Sequence, residues 1–600
     1  MPAISHPPDS RTPRPAFLVR FGFLAGRKLE TWVALSLTAV ILCFQVARLT
    51  HAGALWRDEA GAVQLATLPT FKDVVSSLPH EAFPLLFSVI LRSYSTVTGG
   101  SDIAWRIFGF LVGISIVGAL WWNMWVVRRG PPLLSLALLG FNAAFVQWPD
   151  TIRGYGLGIF LILMAMGFLW RMVEQPSPAR IATATASAII SVQCLFHNAV
   201  LILAICLGGT AVALARGKEQ PRPLTKSKKG VAADVVGANF PGKRVRRLTS
   251  AATPTDLSDY TVVIVWAIAL VSVLSLLPYS GLLSRAREWD MIVRLPVSVE
   301  HLSNKLGEAL SASGWWMPGL WGLLYVVGLG ACLVAAFWPS TAQFGDEQRA
   351  IMLFCWPVLL AGAFGYLDFL MILSYFTEPW YYLALMGVVA LLLDFVFDSF
   401  PKPFGRNVRI VGALIIALTS FLPTWRAAQV RQTNTDLVAA KLGQVAAKED
   451  LIVVVPWYYG ISFERYYHGA AAWMTVPPIE FHKFHRYDLF KAQMVLPDPN
   501  APIEPVQDRI RDTLKNGHRV WLAGASRLVQ PGETLQTLSP APDPKWGWQN
   551  EVYSSVWAAK VAAYLQFSSL RTEEISLPFT GPVNKFENMP LRMFDGWAAP

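Results

Sequence analysis

Two acids stand side by side in Leu55-Trp56-Arg57-Asp58-Glu59-Ala60, directly after the first apolar stretch of the chain. Carboxylates where a membrane helix meets water are costly to keep and tend to serve a purpose. In a helix, neighbouring side chains point about 100° apart. One of Asp58 and Glu59 can then face a given cavity, and the other serves a cap or an ion pair. A plainer reading stays open, in which both are first-turn acids favoured by the helix macrodipole. Four further points hold residues able to clamp a ligand or move a proton. They are His80 with Glu81; Asp150 with Arg153 and Tyr155; His197; and Glu378 with Trp380, Tyr381 and Tyr382, preceded by Tyr375. Each has a structural alternative. His197 can join two spans at the interface, Arg153 can snorkel from a span end, and the aromatic group can form an interfacial belt. Asp368, inside the apolar run Tyr366-Leu367-Asp368-Phe369, is either a functional acid or a helix-pairing one. His482 and His485 have the i, i+3 spacing of metal ligands, but no third ligand accompanies them, which favours a surface role.

The elements that must position these residues are membrane helices. The chain is 54% hydrophobic and 15% charged, with mean hydropathy +0.40. About eleven apolar runs approach the length that crosses a bilayer. They fall at 31–49, 105–127, 132–148, 154–173, 179–196, 198–216, 260–283, 314–338, 350–373, 380–398 and 408–425. The first follows a basic arm, residues 1–30, and lacks a small-residue cleavage pattern, so it reads as an uncleaved span. The net charge of +11 concentrates in that arm and in the loop 217–257. Basic clusters beside spans mark the cytoplasmic side. Arg128-Arg129, Arg171 to Arg180, the Phe344–Arg349 loop and Lys402 to Arg409 fall on that same side, although the opposite loop also carries Arg285, Arg287, Arg294 and Lys305. The basic charge lacks the aromatic and groove-reading motifs of nucleic-acid binders.

This topology puts all five candidate points on the outer face, and their convergence is the signal. The first outer loop, 50–104, is long enough for two interfacial helices near 58–67 and 83–97. After residue 425 the pattern changes. The strand-like Leu451 to Val455, helical stretches, and the strand-like Arg519 to Gly524 predict a small α/β domain with a partly parallel sheet over 426–600. The whole is thus an α-helical polytopic membrane protein with a small C-terminal α/β extracytoplasmic domain. The five cysteines lie in the expected spans with no C-x-x-C spacing, which argues against a disulfide framework.

Taken in order, residues 30–425 resemble the GT-C superfamily of membrane glycosyltransferases, in particular the bacterial branch of aminoarabinose, mannosyl and rhizobial galacturonosyl transferases. The family's acidic pair matches Asp58-Glu59. Its Asp-x-His-Pro-Pro-Leu-Tyr matches Glu81-Ala82-Phe83-Pro84-Leu85-Leu86-Phe87, where Phe83 replaces the histidine and His80 is the residue that could substitute. Its Gly-Ser turn and arginine match Gly99-Gly100-Ser101-Asp102 and Arg106; its Arg-x-Tyr matches Arg153-Gly154-Tyr155; its histidine turn matches His197-Asn198. The late Arg-Tyr motif is represented by Glu378-Pro379-Trp380-Tyr381-Tyr382, without the arginine.

The resemblance implies inverting transfer of a sugar from a polyprenyl-phosphate donor to an envelope lipid, polysaccharide or protein on the outer face of the bacterial inner membrane. Asp58 would be the general base, Glu59 would orient or pair nearby, and Arg57, Arg106 and Arg153 would be the candidate phosphate clamp, Arg153 foremost. His80, Glu81, Tyr155, His197, Glu378 and Tyr382 would line the substrate site. Some relatives bind a divalent metal, although the sequence displays no clean ligand set for one. Two other classes remain: a transporter or flippase, to which Asp368 would contribute, and a non-catalytic envelope scaffold. Against a transporter, the candidates cluster at one face and no inverted repeat is visible.

Overall fold

The computed structural model describes residues 16–128, 130–218, 254–281, 297–338, 344–374, 376–401, 403–524, 527–530 and 533–599, with backbone alone at 16–26, 218 and 254–258. The far N-terminal arm, most of the basic loop 217–257, Arg285, Arg287, Arg294 and Tyr375 lie outside the described residues.

Apolar runs become helices here because a helix satisfies its own backbone hydrogen bonds where no water can. Among the described residues, nine helices are long and apolar enough to cross a membrane: Arg27–His51, Asp102–Val127, Gly154–Glu174, Asn198–Gly217, Asp259–Tyr279, Met317–Phe337, Asp346–Leu373, Pro379–Ser399 and Phe404–Ala428. Two of the eleven expected spans take another form. The run at 132–148 divides into Leu134–Gly140 and Ala143–Gln147. Asn142 makes the break: its Oδ1 accepts from the Phe145 N–H at 3.0 Å, and its Nδ2 donates to the Ala309 carbonyl at 3.0 Å. The run at 179–196 holds a 15-residue helix, Pro178–Val192. The helix Leu383–Ser399 has every residue buried and forms the axis of the bundle.

The first connecting loop folds as short helices, Arg57–Ala66 and Phe71–Ser77, then the longer Leu85–Thr98. Beyond the bundle lies a five-stranded sheet of order β2-β1-β3-β5-β4. Its strands are β1 (Leu451–Val455), β2 (Ala472–Thr475), β3 (Val520–Gly524), β4 (Ser569–Ile575) and β5 (Leu591–Trp597). β1 runs parallel to β2 and β3, and β5 runs antiparallel to β3 and β4. Alternation explains the uninterrupted apolar β1. Leu451, Val453 and Val455 enter one core, while Ile452 and Val454 enter the core on the other face.

The seam between bundle and sheet domain runs along residues 52–59. The Gln432 N–H donates to the Ala52 carbonyl at 2.8 Å. The Leu55 N–H donates to the Tyr466 hydroxyl at 2.7 Å, which donates in turn to Asp102 Oδ2 at 2.6 Å. Gly53 has φ +68°, and a Cβ there would lie 2.6 Å from the Arg431 guanidinium, so both conformation and space call for glycine. The segment bearing Asp58 is therefore gripped from both sides.

Candidate active site

Glu59 and Asp58 open the Arg57–Ala66 helix, and their side chains go to different places. Glu59 is fully buried. Its Oε1 and Oε2 accept from Arg106 Nη1 and Nη2 at 2.8 and 2.9 Å, from the Ile152 N–H at 2.9 Å and from the Trp56 N–H at 3.2 Å. Arg106 also donates to the Gly53 and Ala54 carbonyls. Its donors are thus occupied, which removes Arg106 from the expected phosphate clamp. The pair ties the first loop to the Asp102–Val127 helix and to the segment before residue 153.

Asp58 faces a different group. Its Oδ1 lies 3.6 Å from Arg57 Nε and 3.5 Å from His485 Nε2, and 22% of its side chain remains exposed. Arg153, the N-cap residue of the Gly154–Glu174 helix, donates through Nη1 to the Asp58 carbonyl at 3.1 Å. The same Nη1 lies 3.4 Å from Glu81 Oε1, and the guanidinium lies over the Phe83 ring at 4.7 Å. Arg153 Nε is buried with no hydrogen-bond partner among the described residues.

The electrostatics separate the two acids around Arg153. Desolvation opposes ionisation of Asp58, yet Arg57, Arg153 and His485 together hold its pKa below the usual carboxylate value. Burial pushes Glu81 the other way and prevails over the opposing effect of Arg153. The His485 imidazole is driven down to about 4, first by burial and then by the two guanidiniums, so it is neutral near pH 7.

Behind this group runs an aromatic relay. The Tyr155 ring meets Phe83 edge-on at 5.0 Å and Tyr381 at 5.5 Å, and Tyr381 meets His197 at 5.6 Å. His197 packs among Tyr366, Phe369 and Tyr381, and burial lowers its pKa to about 4. Its Nδ1 has no partner among the described residues.

Other candidates stand apart. His80 stacks on Phe484 at 5.7 Å and lies 3.9 Å from Asp488, so it does not take the place of Phe83 beside Arg153. Asp150 pairs with buried Arg48 at 3.2 Å, and burial raises it to about 6. Glu378 pairs with Lys305 at 3.1 Å. The Tyr382 hydroxyl is buried against Thr377 at 2.9 Å, which makes it a packing strut. Arg57 is partly engaged by Glu587 and the Phe586 carbonyl, with the Tyr458 ring 4.6 Å from its guanidinium. Asp368 occupies an exposed position on its helix.

Sequence reasoning noticed His485 only as half of a metal-like pair. The two histidines diverge: His482 packs against Trp473 at 4.6 Å, whereas His485 reaches Asp58. Among the described residues, no group of three or more His, Cys, Asp or Glu side chains is placed to hold a metal ion.

No family model and no curated protein matches the chain. Solved structures do. ArnT from Cupriavidus metallidurans bound to undecaprenyl phosphate matches at 12% identity and TM-score 0.44, over 82% of this chain and 93% of that one. The oligosaccharyltransferase AglB from Archaeoglobus fulgidus, in complex with an inhibitory peptide and a dolichol-phosphate, matches at 10% identity and TM-score 0.41, over 82% and 69%. Both are GT-C glycosyltransferases. At these values the likeness is one of chain course.

Proposed function

We propose that this protein is a membrane glycosyltransferase that moves a sugar from a polyprenyl-phosphate donor to an envelope acceptor, with inversion. The observation that carries the reading is the pairing of a reachable carboxylate, Asp58, with an arginine whose Nε has no acceptor among the described residues, Arg153. A phosphate leaving group asks for a positive clamp rather than an acid, and Arg153 offers one. Burial disfavours the ionised form of Glu81, which weakens its hold on the guanidinium and lets it yield Arg153 to phosphate.

In the step itself the acceptor hydroxyl loses its proton to Asp58 as its oxygen attacks the anomeric carbon. The bond from that carbon to the phosphate oxygen breaks, and polyprenyl phosphate leaves with the electron pair. One in-line displacement inverts the centre and requires no nucleophilic carboxylate, unlike retaining glycosidases. Arg57 assists Asp58 as a neighbouring cation, and the Phe83-Tyr155-Tyr381-His197 relay backs the clamp. Glu59 and Arg106 position the helix and touch no substrate. The exposed position of Asp368 gives a coupling-ion site no enclosure, which speaks against a transporter.

The basic loops at the opposite ends of the spans support an extracytoplasmic placement of the site. The clamp is tested with undecaprenyl phosphate itself as probe, by native mass spectrometry of the purified protein. Arg153→Gln should weaken retention roughly 10- to 100-fold, as loss of a charged hydrogen bond does. Equal retention by wild type and variant would exclude Arg153 as the clamp.

A further inference from the structure

Asp58 is held from its own helix by Arg57, and from the start of another helix by Arg153. Its third polar neighbour arrives from the sheet domain. The segment 480–488 crosses the Arg57–Ala66 helix so closely that a Cβ on Gly61 would lie 3.6 Å from the Phe484 Cα and 3.8 Å from His485 Nδ1. Phe484 is buried with Leu65 and Val74, and His80 stacks on it. His485 stacks flat on Tyr487, with centroids 5.5 Å apart and an interplanar angle of 10°, and meets Trp457 edge-on. The imidazole is thereby fixed in position and in plane, with Nε2 toward Asp58 Oδ1.

We propose, on the reading of Asp58 as the general base, that His485 is a positioning residue contributed by the C-terminal domain, its Nε2–H directed across 3.5 Å at Asp58 Oδ1 so that the other carboxylate oxygen is presented to the acceptor hydroxyl. The proton belongs on Nε2 because a carboxylate can only accept. The charged and titratable groups facing the pair are Arg57, Arg153, Tyr458 and Tyr487, with Glu81 beyond Arg153. Two guanidiniums and burial oppose charging of the ring, so a neutral hydrogen-bond donor, and not a cation, is what the domain delivers. Seating of that domain then completes the catalytic group, which ties transfer to the presence of the domain over the bundle.

The test uses membranes from a deletion strain, which hold accumulated donor and unmodified acceptor. Purified full-length variants are added, and sugar gain on the acceptor is followed by mass spectrometry from about pH 3 to about pH 8, a range that spans the carboxylate titration. His485→Ala should lower the rate roughly 10- to 100-fold. Its acid limb should move to higher pH, because Asp58 ionises above its pKa and loses one of the groups that hold that pKa down. His485→Gln keeps an N–H donor and should recover most of the rate and the original limb. An unchanged His485→Ala profile would overturn the proposal. So would equal losses in His485→Ala and His485→Gln with no movement of the limb, which would mark a packing role. Absence of transfer by wild type would instead strike the transferase reading, full transfer by Asp58→Asn would strike Asp58 as the general base, and this proposal would fall with either.

Discussion

Adjacent on one helical turn, Asp58 and Glu59 illustrate how little separates a sealed, paired acid from a reachable one. Glu59 meets a guanidinium and two backbone N–H groups and is sealed from water. Removing its charge leaves Arg106 buried and unpaired. Glu59→Gln should therefore cost about 3–5 kcal/mol, read as a lowered midpoint of thermal unfolding in detergent. At Asp58 the same logic concerns proton affinity. Arg153 lowers the pKa of Asp58, so the carboxylate is present above that pKa and is lost as pH falls through it. Arg153→Gln should raise that pKa and shift the acid limb of activity upward, which a pH–rate profile would register. Asp58, Glu81 and Arg153 could be picked from the sequence because each stands beside an apolar run, where charge is conspicuous. His485 could not. It lies in an ordinary polar segment, and only the docking of the sheet domain brings it across most of the chain's length to Asp58. Arg106 was legible as a buried charge but not as an occupied one, because a sequence does not disclose which partner an arginine meets.

The elements followed from composition wherever an apolar run was long and unbroken. The central Leu383–Ser399 helix and the alternating burial of β1 are instances. One exception is 132–148, whose apolar length suggests a span. Asn142 reads as a tolerated polar residue within that run, but in the fold it caps the second of two helices and reaches the Ala309 carbonyl. Such a break is affordable because all of Leu134–Gly140 is buried in protein, where neighbours satisfy the freed groups. Asn142→Ala should destabilise by about 1–2 kcal/mol through the lost cap, again measurable as a shift of the unfolding midpoint. The segment 480–488 had no periodic signal of its own. Its course is set by Phe484 between Leu65 and Val74, a contact between regions that sequence patterns treat separately.

Across the whole molecule, charge is organised at two ends of the bundle. At the end away from Asp58, buried Arg409 binds Asp394 at 2.9 Å, Glu30 at 3.2 Å and Asp398, and Asp398 also accepts from Arg128 at 2.8 Å. This network joins the first, second and last two long helices and leaves the candidate site untouched. Arg409→Leu removes the buried cation shared by Asp394, Asp398 and Glu30 and should cost about 3–5 kcal/mol. It should lower the amount of folded protein recovered from membranes while leaving transfer per folded molecule unchanged. At the other end the sheet domain and the first loop enclose Asp58 and Arg153, and the account of function rests there. The most direct measurement complements a deletion strain with wild type or with Asp58→Asn. Mass spectrometry then quantifies prenyl-phosphate-linked sugar and envelope glycan, with the variant confirmed to be folded and inserted. Loss of a general base should reduce transfer by roughly 10²- to 10⁴-fold, so the donor should accumulate and the glycan should lack a single sugar. Full restoration of the glycan by Asp58→Asn would contradict the account.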